Sequence, residues 1–409
     1  MLLSVRKITY KLYPTAAQIA RLEDLLRLHK DLWNAALQER IDAWRKVGKS
    51  ISYEDQCASL TQIRGELPDD WAIMNCSSQQ VTLRRLNKAF QGFFRRVAHG
   101  QSPGFPRYKS IQRMPGFGYK GHGDGWRFTP ALGQRKGKEC WKHGTLRLQG
   151  VGKIKARGMA RQGGKIKSCE LLHSQGEWHL SLTVECADIQ RDGGGMAVAA
   201  DWGVKTLLSL VKSDGTTEAI DNPRWFKDGQ ERQLELDRAV SRKKRRSKGW
   251  RRAKRDSAAF KAKMARQRLN HHHQLSARIA GEVAIFATED LVIKNMTASA
   301  AGTIDEPGKN VAQKSGLNRE ILDTAPALLM QLIAYKVEET GGQFIEAPTR
   351  KLKPSQRCPS CWAVKKKSLS QRVHRCDCGC EMDRDMAAAQ VVLRWAMQEQ
   401  FGQELPKAA

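Results

Sequence analysis

The stretch that decides the fold of the carboxyl-terminal half is residues 196–203, which read MAVAADWG. Five apolar residues precede Asp201, and Gly203 leaves the backbone free to turn directly after it. A short apolar run that ends at a turn signal predicts a buried strand. The same reasoning predicts further strands at residues 206–212, 217–220, 282–288 and 343–346, and helices at residues 228–281, 319–340 and 386–399. Alternating strands and helices of this kind predict an α/β domain.

Three acidic residues stand at chain positions suited to one shared site. Asp201 and Glu289 each end a predicted strand, and Asp385 begins the last predicted helix, where free N–H groups favour a carboxylate. If the strands are neighbours and the helix packs on them, the three carboxylates converge. Such oxygen ligands suit Mg²⁺ or Mn²⁺, and two ions about 3.5–4 Å apart clamp the attacking and leaving oxygens of a phosphodiester. Spacing alone leaves a plainer alternative open, because acids often end strands and Asp385 would serve equally well as a helix N-cap.

Charge is the strongest signal in the composition. The 409 residues include 71 Lys and Arg against 42 Asp and Glu, a net charge of +29. Such an excess opposes compaction unless a polyanion neutralises it, which favours nucleic acid as the partner. We find no apolar run of about 18 residues and no signal-peptide pattern, so neither a membrane partner nor secretion is expected. The length, with 40% hydrophobic residues, predicts a folded cytoplasmic protein of two to four domains rather than a disordered chain.

Five of the ten cysteines crowd into one segment near the carboxyl terminus. The pair Cys358 and Cys361, followed by the pair Cys376 and Cys378, is typical of a structural zinc site with four cysteine ligands. Thiolates select zinc over magnesium, so this site is distinct from the carboxylates. Cys380 could replace Cys376 or Cys378 as a ligand. The alternative is that these cysteines are reduced and simply buried.

The amino-terminal half is predicted to hold a strand at residues 4–13, helices at residues 15–41 and 77–97, and short strands over residues 118–190 that form a small antiparallel barrel. Basic residues concentrate on and after the second helix, and in a dense run in the other half. Each set is either a solvated surface or a surface that contacts phosphates. The candidates for nucleic-acid contact are Arg84, Arg85, Lys88, Arg95, Arg96, Arg107, Arg242, Lys243, Lys244, Arg245, Arg246, Arg251 and Arg252. The histidines at residues 271–273 cannot share one helix face, so they are interpreted as polar filler.

Three motifs resemble those of the TnpB family, whose members are transposon-encoded RNA-guided endonucleases related to compact type V CRISPR effectors. Residues 199–206, AADWGVKT, resemble the first motif of the family's RuvC-like nuclease domain. Residues 287–291 with 294–296 resemble the second motif, and residues 383–389, DRDMAAA, resemble the third. The cysteine cluster is similar to the zinc element that precedes the third motif. The amino-terminal half resembles the family's helical lobe and its borders at residues 10–15, 32–37 and 104–109.

The resemblance implies an α/β plus α+β multidomain architecture. It assigns a β-barrel wedge domain to residues 1–14 with 118–190, a helical recognition lobe to 15–117, an RNase H-like (RuvC) nuclease domain to 196–350 with 381–409, and a zinc-binding insertion that contacts target nucleic acid to 351–380. It makes Asp201, Glu289 and Asp385 the catalytic metal ligands. Two departures, Trp202 for a small residue and Ala387 for asparagine, remove no metal ligand but leave room for reduced activity.

The activity that the resemblance implies is cleavage of target DNA beside a short flanking motif. Base pairing to a structured guide RNA would supply sequence specificity. One alternative is a compact type V CRISPR effector, which only the neighbouring locus would distinguish. Another is an RNA-guided DNA-binding repressor with a decayed nuclease. The expected partners are guide RNA and target DNA, with the protein a monomer or homodimer in the prokaryotic cytoplasm and at the nucleoid when on target.

Overall fold

The chain folds into two compact units, residues 1–188 and 189–409. The computed structural model describes residues 3–135, 137–174, 176–187, 192–302, 306–368 and 371–401. The predicted domain edges at residues 190 and 409 lie outside this part. Along the described helices there is no segment long and apolar enough to cross a membrane. The first unit joins an antiparallel sheet to three main helices, and the second surrounds a mixed sheet with helices, so the chain is a mixed α/β multidomain protein.

The first unit is built on a seven-stranded antiparallel sheet. Its strands are β1 (Leu3–Tyr13), β2 (Gly116–Tyr119), β3 (Trp126–Arg135), β4 (Lys138–Leu148), β5 (Gly152–Ala160), β6 (Lys165–Ser174) and β7 (Glu177–Ala187). The order β2-β6-β7-β1-β5-β4-β3 places the amino-terminal strand in the middle. Alternate residues of β7, such as Leu180, Leu182 and Val184, are fully buried, as expected where one sheet face lines a core. Among the described residues, the end strands β2 and β3 share no ladder, so closure into a barrel stays a prediction.

Three helices complete the first unit: α1 (Ala16–Val47), α2 (Tyr53–Glu66) and α3 (Cys76–Ala98). Capping boxes at Thr15 and Ser52 satisfy backbone N–H groups at the starts of α1 and α2. The first half of α1 joins the core of the sheet, and its second half packs against α3. Helix α2 is not predicted from the sequence, because its buried residues are Gln56 and Leu60, too few to form an apolar stripe.

The second unit is built on a five-stranded mixed sheet. Its strands are β8 (Met196–Trp202), β9 (Thr206–Lys212), β10 (Thr217–Asp221), β11 (Val283–Glu289) and β12 (Gln343–Ala347). They are ordered β10-β9-β8-β11-β12. Strands β8, β9 and β10 form an antiparallel meander, whereas β11 and β12 run parallel to β8. All five predicted strands are confirmed, and the apolar run before Asp201 lies at the centre of the sheet.

The helices of the second unit are α4 (Trp225–Ser241), α5 (Lys248–Glu282), α6 (Ile293–Met296), α7 (Val311–Thr324), α8 (Pro326–Glu338), α9 (Thr349–Leu352) and α10 (Arg384–Phe401). A short hairpin, β13 (Val373–Arg375) and β14 (Glu381–Asp383), precedes α10. The helical stretch predicted for residues 228–281 consists of two helices, because the chain breaks after α4 and Ser247 caps α5. The helix predicted for residues 319–340 is also two helices. Ala325 takes a left-handed conformation, and Pro326, which has no N–H to donate, begins α8.

The two faces of the mixed sheet pack against different helices. Successive residues of a strand point to opposite faces. Val198 and Ala200 of β8 join a core with residues of α5 and α8, whereas Ala199 joins a second core with residues of α10. Strand β11 is divided in the same way, with Phe286 in the first core and Ala287 in the second. Helix α10 therefore covers the face to which the odd-numbered residues of β8 point.

Candidate active site

The alternation along β8 and β11 directs two acidic residues to the same face. Ala199 and Ala287 are register partners, and both belong to the core with α10. Two residues further along each strand lie Asp201 and Glu289. Because two residues are one full repeat of a strand, both carboxylates point to the α10 face. The parallel neighbours β8 and β11 thus present two acids side by side at one edge of the sheet.

The third acid, Asp385, lies in the first turn of α10. The carboxylate that caps this helix is Asp383, whose Oδ1 accepts hydrogen bonds from the backbone N–H of Asp385 at 2.9 Å and of Met386 at 3.1 Å. The alternative that Asp385 is an ordinary N-cap is therefore wrong. Ala387 and Ala388 are each 1% exposed, and side chains this small let α10 approach the sheet closely. The helix start brings the Asp385 carboxylate to the edge that carries the other two acids.

Burial raises the pKa of all three carboxylates. Burial, followed by the charges of Glu289 and Asp385, raises the pKa of Asp201 well above its usual range. Burial also raises the pKa of Glu289 to about 7. The pKa of Asp385 is raised by burial and by Asp383, against the opposing charges of basic residues that include Lys205. Because ionising all three acids together costs free energy, a divalent cation among them would stabilise the charged forms.

The donor set fits a hard divalent cation. The three acids supply carboxylate oxygens, the ligands that Mg²⁺ and Mn²⁺ prefer. Each of the three side chains is half-buried, so solvent and a phosphate can reach the site. Among the described residues, two groups of possible metal ligands have atoms that all lie within 4.8 Å of one another. Both groups contain Cys358, and neither contains the three acids. The acids are close enough to interact electrostatically, because the charges of Glu289 and Asp385 both raise the pKa of Asp201.

The cysteine cluster is assembled as a four-ligand site. The Sγ atoms of Cys358 and Cys378 lie 3.6 Å apart, those of Cys361 and Cys376 lie 3.5 Å apart, and all four are within 4.8 Å of one another. These separations suit sulfurs around a tetrahedral zinc ion with Zn–S bonds of about 2.3 Å. Hydrogen bonds from the backbone of Cys378 and the side chain of Cys361 lower the pKa of Cys376 to about 7. The structure therefore brings the four predicted cysteines together in a cluster that can hold zinc.

The fifth cysteine of the cluster belongs to a second grouping. The sulfur of Cys380, a ring nitrogen of His374 and the sulfur of Cys358 also lie within 4.8 Å of one another. Cys380 and His374 thus adjoin the four-cysteine site and share Cys358 with it. His374 is 2% exposed and was not predicted from the sequence. A histidine two residues before a cysteine of the cluster is the signal that points to it.

Helix α10 connects the cysteine cluster to the acids. It begins directly after β14, the second strand of the cluster's hairpin. Arg394 of α10 donates through Nη1 to the backbone oxygens of Pro359 at 2.7 Å and Ser360 at 2.8 Å, between the first two cysteines. Its guanidinium also lies 4.8 Å from the centre of the Trp362 ring. The helix that carries Asp385 is therefore attached to both halves of the cysteine cluster.

The basic residues predicted to contact nucleic acid fall into two groups. The exposed group consists of Arg84, Lys88, Arg95, Arg107, Arg242, Lys243, Lys244, Arg245, Arg246, Arg251 and Arg252. The other two bind protein groups. Arg85 donates to Glu170 Oε1 and to the backbone oxygen of Gly116, both at 2.9 Å, and Arg96 donates through Nε to the backbone oxygen of Pro103 at 2.6 Å. These contacts account for the half-burial of Arg85 and Arg96 without a nucleic-acid partner.

The histidines at residues 271–273 are not polar filler, contrary to the prediction. His272 is fully buried on α5, and its Nε2 is hydrogen-bonded to the backbone oxygen of Thr324 in α7 at 2.9 Å. Burial lowers the pKa of His272 to about 4. Lys336 of α8 is also buried and donates to Ser276 Oγ at 2.6 Å. Buried hydrogen bonds thus link α5 to α7 and α8. The helical spacing of the apolar residues of α5 is the signal that one of the three histidines faces inward.

Three family models match parts of this sequence. OrfB_IS605, described as "Probable transposase", matches residues 181–300; the Cas12f1-like TNB domain matches residues 327–392; and HTH_OrfB_IS605, a helix-turn-helix domain, matches residues 1–49. The first match includes Asp201 and Glu289, and the second includes the cysteine cluster and Asp385. The chain is thus similar to IS605-type OrfB proteins over residues 1–49 and 181–300, and to the Cas12f1-like TNB domain over residues 327–392.

Two relatives match nearly the whole chain. The "Putative RNA-guided DNA endonuclease InsQ" of Escherichia coli (strain K12) is 28% identical over 372 residues, which cover 90% of this chain and 86% of the relative. A "Putative RNA-guided DNA endonuclease" of Streptomyces pristinaespiralis is 27% identical over 396 residues, covering 95% of this chain and 88% of the relative. These matches confirm the resemblance to the TnpB family found in the motifs.

Similar solved structures include two complexes of Cas12f proteins. A Cas12f1–sgRNA–target DNA complex is 13% identical, covers 95% of this chain and 98% of that chain, and has a TM-score of 0.34. A CRISPR-Cas12f ternary complex is 13% identical, covers 91% of this chain and 80% of that chain, and has a TM-score of 0.35. Scores this low carry no argument about the function of the chain.

Proposed function

We propose that this protein is an RNA-guided, metal-dependent DNA endonuclease. The observation that carries the proposal is the convergence of Asp201, Glu289 and Asp385 on one face of the mixed sheet, with raised pKa values. The resemblance to the TnpB family supports it, as do the names of two relatives, which describe RNA-guided DNA endonucleases. The strand order β10-β9-β8-β11-β12, with two parallel strands after an antiparallel meander, supports the RNase H-like nuclease fold that the motifs imply.

In this mechanism the three acids would hold the divalent ions at the phosphodiester. Bound Mg²⁺ or Mn²⁺ supplies charge stabilisation and an activated water for hydrolysis. Asp201 and Glu289 hold ligand oxygens on adjacent strands, and Asp385 completes the site from α10. Asp383 is a positioning residue, because it fixes the first turn of α10 through its hydrogen bonds. The charge of Lys205 lowers the pKa of Asp385, and this proximity to the acids supports a role for Lys205 in pairing with an incoming phosphate.

The remaining parts of the chain bind and position nucleic acid. We assign RNA binding and recognition of the flanking motif to a wedge domain, residues 1–14 with 118–190, and to a recognition lobe, residues 15–117. The zinc element, residues 351–380, contacts the target strand. The exposed basic residues at 242–246 contact phosphates, which position a strand without reading its sequence. Base pairing to the guide supplies the specificity, a division of labour that other guided nucleases share.

The two alternatives differ in how far the structure favours them. A compact type V CRISPR effector would use the same chemistry, and the neighbouring locus separates it from a transposon-encoded nuclease. A decayed nuclease that acts as a repressor is not favoured, because all three acids are present. Ala387, the departure that suggested decay, is a buried helix contact rather than a metal ligand.

The test is to express the full chain with its native flanking DNA, sequence the RNA that co-purifies, and assay cleavage of a matching plasmid in Mg²⁺. Asp201→Asn and Glu289→Gln should each abolish cleavage while leaving target binding intact, because each removes a charged metal ligand and little volume. Glu235→Gln, at an exposed carboxylate of α4, is the matched control and should cleave like the wild type. A wild-type complex that binds its target in Mg²⁺ and leaves the DNA intact would refute the proposal.

A further inference from the structure

An open cavity of about 460 Å³ lies in the first unit, between the second half of α1, the end of α3 and the loop after α3. Aromatic rings dominate its lining. Trp44 is 66% exposed, Phe94 61% and Phe105 46%, so three large rings of one cavity stand in water. Exposed apolar surface of this kind costs free energy in a folded protein and marks a binding site. The proposed nuclease mechanism makes no use of it.

Four phenylalanines form one wall of this cavity. Phe105 lies edge-on to Phe90 with ring centres 5.6 Å apart, and edge-on to Phe93 with ring centres 5.2 Å apart. Phe94 contacts Phe93 at 5.1 Å. Edge-to-face packing of this kind is favourable between aromatic rings and gives the wall a defined shape.

The loop that carries Phe105 is held in place by hydrogen bonds to both helices. Arg96 of α3 donates to the backbone oxygens of Pro103 at 2.6 Å and Gly104 at 3.1 Å. Further along the loop, Trp33 and Asn34 of α1 donate to its backbone oxygens at 3.1 and 3.0 Å. The cavity is therefore formed before a ligand arrives, which lowers the entropy cost of binding.

The charged groups in the lining are cationic. Arg40 and Arg45 line the cavity, and none of the described lining residues is acidic. The Arg40 guanidinium lies 5.1 Å from the centre of the Phe90 ring and donates to Gln56 Oε1 at 2.9 Å and to Asn87 Oδ1 at 3.1 Å. Its Nη2 is buried without a hydrogen-bond partner among the described residues, a costly state for a charged donor. The cavity thus combines flat apolar rings with positive charge and an unmatched donor.

We propose that this cavity binds an unpaired nucleobase of the guide RNA, an inference that rests on the proposed function. An unpaired nucleotide offers a flat base to stack on Trp44 or Phe94 and a phosphate for Arg45. Structured RNA presents unpaired bases in loops and bulges, and proteins recognise them by stacking on aromatic side chains and guanidinium groups. A cavity formed without its ligand suits a strand that stays bound through many targets. Its volume lies in the range of small-ligand pockets, about 300–1,000 Å³.

Trp44→Ala and Phe94→Ala test this proposal, and Val97→Ala is the matched control. Val97 is an apolar residue of α3, 51% exposed, outside the lining. Each full-length variant is titrated with the RNA that co-purifies with the wild-type chain, and with unstructured oligouridine. Each test variant should bind RNA about tenfold more weakly, the effect of losing one stacked base. Trp44→Phe should keep most of the affinity because it keeps a ring, and thermal unfolding of every variant checks that folding is unchanged.

Ultraviolet cross-linking of the wild-type complex, followed by mass spectrometry, locates the base directly. The expected product is an RNA adduct on the peptide of α1 that contains Trp44 or the peptide of α3 that contains Phe94. Wild-type affinity in both alanine variants, with no adduct at either peptide, overturns the proposal. An adduct with target DNA, or loss of self-association in Phe94→Ala, overturns it in favour of a DNA base or a second copy of the chain. If no RNA co-purifies, that result contradicts the proposed function. The titration with oligouridine and the adducts that it forms then test the base-binding cavity separately.

Discussion

Replacing Glu289 by glutamine should stabilise the protein at pH 8 when no Mg²⁺ is bound, and much less at pH 5. Burial raises the pKa of Glu289 from 4.5 to about 7, so ionising this carboxylate costs free energy in the folded state. The folded state therefore binds more protons than the unfolded state between these two values, and the free energy of unfolding falls as the pH rises through this window. At about 1.4 kcal/mol per pKa unit, the wild-type penalty is about 3 kcal/mol at pH 8, about 2 kcal/mol at pH 6 and about 1 kcal/mol at pH 5. Glutamine has a similar shape and no charge, so the variant does not incur this penalty.

Thermal unfolding of Glu289→Gln and the wild type at pH 5, 6 and 8 measures the effect. The buffer contains no Mg²⁺ and no chelator, so that zinc stays bound to the cysteines. A change of 1 kcal/mol shifts Tm by about 2–4 °C in a unit of this size, so the variant should melt about 6–12 °C higher at pH 8 and about 2–4 °C higher at pH 5. Added Mg²⁺ should then raise the Tm of the wild type far more than that of the variant, because a ligand that binds the folded state stabilises it.

The control is Glu235→Gln, which removes an exposed carboxylate of α4. Its shift in Tm should be small and the same at pH 5 and pH 8. A Glu289→Gln variant that is less stable than the wild type at pH 8 would refute the reasoning. So would a difference in Tm that does not change with pH, because burial of an ionisable group must appear as pH dependence.

Four further variants test other parts of the structure. Asp383→Ala removes the cap of α10, so it should lower the stability of the protein by about 1 kcal/mol. It should also reduce cleavage of plasmid DNA, because Asp385 would be misplaced. Normal cleavage would show that the cap does not position the acid. Arg85→Ala should lower the free energy of unfolding by about 1 kcal/mol or less, because it removes a partly buried ion pair with Glu170 at 2.9 Å. A double-mutant cycle of the two residues, measured by urea unfolding, should give a coupling energy above zero. Cys358→Ser should lose zinc, as measured by elemental analysis of the purified protein, whereas Cys380→Ser should keep one zinc ion per chain. Loss of zinc from Cys380→Ser would show that zinc is bound by the second grouping, which contains Cys358, His374 and Cys380.

The candidate site was predictable from the sequence where local pattern decides structure. An apolar run predicts a buried strand wherever it occurs, so the acids that end such runs, Asp201 and Glu289, could be identified without a structure. Their common direction could not. It depends on which face of the sheet α10 covers, and a shift of one residue in register would direct either carboxylate to the opposite face.

The errors also have physical causes. The helix predicted for residues 228–281 breaks where a run of exposed basic side chains has no apolar residue to pack. Helix α2 was missed because one of its two buried residues is Gln56, a polar residue that no apolar pattern contains. The sequence allowed Asp385 to be the N-cap of α10, but the N-cap is Asp383. The two positions differ by two residues, which is the usual uncertainty of a helix boundary. His272 looked polar in sequence, yet its hydrogen bond to Thr324 allows it to be buried.

The attachment of α10 to the cysteine cluster couples the two candidate metal sites. Zinc binding to cysteine ligands contributes directly to folding, so zinc at the cluster would stabilise the segment that Arg394 contacts. Because Arg394 and Asp385 lie on the same helix, that stabilisation would extend to the alignment of the three acids.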